Sequence, residues 1–111
     1  MSEYNQTVLP ASFIALFVAP GRHKPSATWA DMAQRYDFCE DLASMLTEQA
    51  QTKRWELGVT EHDVLERMLL GLRAGAPVVS RAEAEWVVTR LAELLGWPAL
   101  PALPASTSPP D

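Results

Sequence analysis

Three times in this 111-residue chain a hydroxyl side chain stands three residues before a carboxylate, and three times a glycine follows a helical run. Thr28-Trp29-Ala30-Asp31, Thr60-Glu61-His62-Asp63 and Ser80-Arg81-Ala82-Glu83 are the starts. In each, the hydroxyl can accept from the free amide three positions on, and the carboxylate can reach back to the amide of the cap. The acid also suits the positive end of the helix dipole. Gly58, Gly75 and Gly96 are the stops, since glycine readily takes the left-handed conformation that ends a helix, and Pro77 and Pro98 follow the last two. Val59 and Val64 flank the second start as a hydrophobic staple. This punctuation predicts helices over about 28–57, 61–74 and 81–95.

Each helix has a legible apolar face. In the first, Trp29, Met32, Tyr36, Cys39, Ala43, Leu46 and Ala50 recur at steps of three and four, a heptad-like stripe. Phe38, Leu42 and Met45 widen it, so the helix should touch partners on more than one side. Val64, Leu65, Met68, Leu69 and Leu72 form the second face, and Trp86, Val87, Val88, Leu91, Leu94 and Leu95 the third. Trp97 is expected to fold back onto Leu91. Thirty residues of helix would reach roughly 45 Å, longer than a compact domain of this size is wide. Either the helix breaks near Gln49-Ala50-Gln51-Thr52, or its end packs on a second copy.

Residues 10–19 are ambiguous between a short helix and a short buried strand, because the apolar run is too brief for its period to decide. A helix is favoured, since no second strand candidate exists to pair with it. Residues 20–25 read as a loop. The fold class that follows is an all-α bundle, with one long helix and a helical hairpin packed on it, in a single domain over residues 1–97. Residues 98–111 hold five of the nine prolines, with Pro98, Pro101 and Pro104 at the polyproline II period. They are read as a disordered, solvated tail.

Composition narrows the function. A net charge of −5 argues against broad binding to nucleic acid or anionic membranes. The single cysteine allows no internal disulfide. The run Phe13 to Ala19 is too short to span a bilayer, and the first residues lack the basic stretch of a signal peptide. A cytoplasmic location is expected.

The residues carrying reactive chemistry read as structural. Cys39 lies mid-helix on the apolar stripe beside Glu40 and Asp41, which would raise its pKa rather than activate it. His62 and Glu66 are one turn apart, but two ligands do not make a metal site. Asp37, Glu40, Asp41 and Glu48 alternate with the stripe, as a solvated face does. Arg22, His23 and Lys24 lie in a loop that lacks the spacing to cradle phosphates, and nothing matches G-x-x-x-x-G-K-[ST]. No catalytic residue, cofactor site or metal ligand is therefore assigned.

The leading reading is a non-catalytic adaptor or regulatory module that binds a protein partner and forms a homodimer. One alternative is a DNA-binding regulator using a helix-turn-helix-like pair at 61–95. Its reader helix would carry Glu83, Glu85 and Glu93 beside Arg81 and Arg90. The other is a small enzyme using the acids of the long helix. A basic groove beside helix 81–95 would favour the regulator, and a buried acid pair in a pocket the enzyme.

The segments Arg35-Tyr36-Asp37-Phe38-Cys39-Glu40-Asp41-Leu42-Ala43, Gly58-Val59-Thr60-Glu61-His62-Asp63-Val64-Leu65-Glu66-Arg67 and Ala84 to Trp97 are similar to those of a family of small proteobacterial proteins, as is Phe13 to Pro25. The resemblance covers most of residues 8–97. Such proteins often carry the automated label "ATPase with chaperone activity", and the resemblance implies a link to a chaperone system. It brings no functional residues with it.

Overall fold

The structure is a computed structural model that describes residues 8–74 and 78–100. Among the described residues all regular structure is helical. Helix α1 (Ala11–Ile14) runs into a 3₁₀ turn over Ala15–Phe17, and α2 (Trp29–Leu57), α3 (Glu61–Arg73) and α4 (Arg81–Leu95) follow. The long helix carries the hairpin α3–α4, as its apolar stripe requires. None of these helices is long and apolar enough to cross a membrane.

All three predicted N-caps form: Thr28, Thr60 and Ser80 accept from the amides of Asp31, Asp63 and Glu83 at 3.1, 3.1 and 3.0 Å. Only the third is a reciprocal box, where the Ser80 amide donates to Glu83 Oε1 at 2.8 Å. Aspartate is one methylene shorter than glutamate, and Asp63 instead accepts from Arg67 Nε at 2.9 Å, one turn on. Gly58 and Gly96 take the left-handed conformation, with φ of 64° and 73°. At the end of α4 the Gly96 amide bonds to the Glu93 carbonyl and the Trp97 amide to that of Ala92. This pairing is a Schellman motif, which turns Trp97 back onto the core. Helix α3 stops at Arg73 with Ala74 extended, and the expected stop at Gly75 and Pro77 lies outside the described residues. So does all of the proline-rich tail beyond Leu100.

The core collects one face of each helix. Met32, Cys39, Ala43, Leu46 and Ala50 of α2 are buried, as are Val64, Leu65, Met68 and Leu69 of α3. On α4 the buried set is Glu83, Ala84, Val87, Val88, Leu91 and Ala92. The expected α4 face therefore needs correction: Leu94 in the last turn is exposed, and the small Ala84 and Ala92 are buried instead. Trp29, placed on the α2 stripe by spacing, is also mostly exposed, because it sits in the first turn, ahead of the hairpin's cover.

Residues 11–17 settle as helix, after an extended Pro10. The amides of Phe13 and Ile14 both find the Pro10 carbonyl, at 3.0 and 3.1 Å, so the segment satisfies its own backbone without a strand partner. Phe13 is fully buried and acts as the wedge between α2 and α4. Its ring meets Tyr36 at 5.4 Å and Trp86 at 5.0 Å, both edge-on, while Tyr36 and Trp86 lie 5.7 Å apart. Edge-to-face pairs of this kind add about 0.5–1.5 kcal/mol each beyond their burial.

The long helix does not break. Residues 49–52 are regular α-helix, and Ala50 is buried. From Gln51 to Gly58 every residue is exposed, with Trp55 87% accessible. The final two turns of α2 thus run past the core.

Candidate partner-binding surfaces

Two surfaces flank α2, and they differ in chemistry. The first is an open groove of about 570 Å³ between the N-terminal segment and α4. Ala82, Glu85, Trp86, Thr89, Arg90 and Glu93 of α4 form one wall, Pro10, Ser12 and Leu16 the other, and Tyr36 of α2 lies at the base. The α4 residues recur at steps of three and four, so they form one outward stripe of that helix. The Trp86 indole N–H donates to Ser12 Oγ at 3.1 Å and ties the two walls together.

The charges around this groove are largely committed. Arg90 donates to both oxygens of Glu40, at 2.7 and 3.4 Å, and to Glu93 at 2.9 Å. Those bonds raise the Arg90 pKa further above its ordinary value, Glu40 having the larger effect. The Tyr36 hydroxyl donates to Glu40 at 3.3 Å, and burial first, then the nearby Glu40 charge, raises its pKa. Among the described residues the Glu85 carboxylate meets Arg81 Nε alone, at 3.9 Å.

The second surface is the outer face of α2. Phe38 is 38% and Met45 67% accessible, with the half-buried Leu42 between them. Arg35 stacks on the Phe38 ring, its guanidinium carbon 4.9 Å from the centroid. From there Arg35 Nη2 reaches the carbonyl of Val78, whose own side chain is exposed.

Several residues singled out by sequence land elsewhere. Glu40 is not part of a solvated face, because it holds Arg90 across the α2–α4 interface; Asp37, Asp41 and Glu48 are exposed. Glu83 is not an outward polar position of α4 either. It is buried and accepts from Arg35 Nε at 2.9 Å and Nη2 at 2.8 Å. The Arg35 hydrogen bonds hold the Glu83 carboxyl below its ordinary pKa, against the opposing effect of burial. Cys39 is fully buried, and its thiol is pushed up to about 12 chiefly by desolvation, with the Glu83 charge adding to it. Glu40 and Asp41, the neighbours in sequence, are not the cause.

His62 and Glu66 form an exposed pair at 3.2 Å. Among the described residues no three His, Cys, Asp or Glu side chains come together as metal ligands. Arg22, His23 and Lys24 line a shallow pocket of their own loop, between Ala19 and Ser26. Sequence reasoning missed the groove because its residues lie in three separate segments. The available signal was the polar-aromatic stripe Glu85, Trp86, Thr89, Arg90 and Glu93, which fills the part of α4 opposite Val87 and Leu91. In comparisons with protein-family models, curated proteins and solved structures, the chain matches none.

Proposed function

We propose that this protein is a non-catalytic adaptor or regulatory module of the cytoplasm, which binds a protein partner and pairs with a second copy through the outer face of α2. The observation that carries this reading is the pair Phe38 and Met45, seven residues apart on one helix and both open to solvent. Side chains at that spacing share a helical face, and Leu42 joins them one turn from Phe38. The hairpin and the N-terminal segment already cover the stripe from Tyr36 to Ala50. A second copy about a two-fold axis is the simplest cover for what is left. The resemblance to chaperone-labelled proteins supports a chaperone system as the source of the partner.

The groove beside α4 gives less support to the other readings. Its one arginine is held by two glutamates, and Glu85 and Glu93 face outward, which would repel phosphates. The buried acid among the described residues, Glu83, is ion-paired with Arg35 rather than with a second carboxylate.

Sedimentation equilibrium is the test. The chain should sediment at twice its 12.3 kDa at tens of micromolar. Phe38→Glu with Met45→Glu should yield a folded monomer with unchanged helical circular dichroism. A wild-type chain that stays monomeric at that concentration would rule out self-association. If the double variant instead loses its helical signal, the two residues belong to the core, and the proposed interface is wrong.

A further inference from the structure

We infer that the groove between the N-terminal segment and α4 is a docking site for a proline-containing, extended segment of a partner protein that carries an arginine or lysine. This inference rests on the adaptor reading for the existence of a partner, but not on self-association. The groove and the Phe38–Met45 face lie on opposite sides of α2. Tyr36 at the groove base and Met45 are nine residues apart, about two and a half turns, so they point in roughly opposite directions.

The walls determine the shape of the occupant. From Ala82 to Glu93 the α4 wall runs for roughly 16 Å at 1.5 Å per residue. About five residues of polyproline II chain span that length at 3.1 Å each. Tyr36 and Trp86 supply aromatic surface in the groove, and such surfaces receive the ridges of a polyproline II ligand.

Hydrogen bonding narrows the class further. The Trp86 N–H is spent on Ser12, the Tyr36 hydroxyl on Glu40 and the Thr89 hydroxyl on the Glu85 carbonyl. The α4 wall presents helix backbone bonded within itself, so an added strand would find no free edge to pair with. A polyproline II segment has no internal backbone ladder and keeps its polar groups in water, so it suits a wall of this kind.

Charge sets the remaining requirement. Glu85 and Glu93 are on the groove, and Arg90 is already neutralised by Glu40 and Glu93. Among the described residues the one cation near Glu85 is Arg81, at 3.9 Å and mostly exposed. Glu40, Glu85 and Glu93 thus stand against Arg81 and Arg90, a net excess of one negative charge, which a guanidinium or ammonium brought in by the partner would meet while lying over an aromatic face.

Selection from a phage library of random twelve-residue peptides on the full-length protein tests the inference. Enriched peptides should combine proline with arginine or lysine. A synthetic peptide of the enriched sequence should bind the wild type in calorimetry and weaken at least tenfold in Glu85→Arg with Glu93→Arg. It should also weaken in Thr89→Tyr, which fills the groove from an exposed helix position, and it should weaken as salt rises. Phe38→Glu should leave its affinity unchanged, so that loss of the dimer and loss of peptide binding are read separately. Failure of any peptide to enrich, enrichment of acidic or proline-free peptides, or an affinity insensitive to the charge reversal and to Thr89→Tyr in folded variants would overturn the proposal.

Discussion

Glu83 serves two elements with one carboxylate. Its Oε1 accepts the Ser80 amide that opens α4, and both oxygens hold the Arg35 guanidinium of α2. The Glu83 side chain is almost wholly buried while Arg35 is partly open, so water screens one side of the pair only. Replacing Glu83 by glutamine keeps the shape and removes the charge, leaving Arg35 without its counter-ion. We expect a loss of about 2 kcal/mol, in the range for a hydrogen bond to a charged group, read from urea unfolding at pH 7. The sign of the pH dependence follows from the lowered Glu83 pKa. Its stabilisation is present above the unfolded value near 4.5 and is lost as pH falls through the lower folded value. The gap between wild type and Glu83→Gln should therefore close on acidification below about pH 4.5 and stay constant above it. A gap that does not narrow as the pH falls below about 4.5 would mean that the charge is not what matters.

At the scale of elements, the caps decide where helices stop and the hairpin decides where they are covered. Gly58 ends α2 at φ 64°, a conformation in which a Cβ is strained even though the space around it is open. Gly58→Ala should lower stability by roughly 1 kcal/mol, measured as a shift of the thermal midpoint; an unchanged midpoint would show that the turn can relax. The same region has little tertiary cover. Beyond Ala50 the two last turns of α2 are held by their own hydrogen bonds and not by packing. Their amides should exchange with deuterium faster than those of residues 39–50, where the helix lies against α3 and α4.

For the whole molecule, Phe13 joins what the hairpin alone does not. It is fully buried against Tyr36 of α2 and Trp86 of α4, with Phe17 5.5 Å away. Phe13→Ala leaves a cavity at that junction and should cost about 3–5 kcal/mol, the usual range for a buried phenylalanine. Denaturant unfolding followed by tryptophan fluorescence would measure it, and a cost below 1 kcal/mol would mean that the segment is an accessory. The segment that carries this wedge supplies one wall of the groove through Pro10, Ser12 and Leu16, so a loosened N-terminal segment should weaken any ligand held there. The apolar α2 face lies on the other side, and the self-association proposed for it should not depend on that segment as long as the helix stays folded.

Local chemistry was legible in the chain itself. A hydroxyl three residues before an acid, and a glycine after an apolar period, act through neighbours within one helical turn, so α2, α3 and α4 could be read to within a residue or so. The stripe from Met32 to Ala50 was legible for the same reason, because a helix of known pitch places those residues on one side. Tertiary structure decided everything that depends on distance across the fold. The local signal marks Glu83 as a capping acid, but nothing local says that it is buried under Arg35 from 48 positions away. Nothing local sets Glu40 against Arg90, or names Phe13 as the wedge that turned an ambiguous apolar run into helix. The groove is of the same kind: its walls come from residues 10–16 and 82–93 and its base from Tyr36. Such a surface exists only after long-range packing has chosen which side of each helix is spent on the core and which is left for a partner.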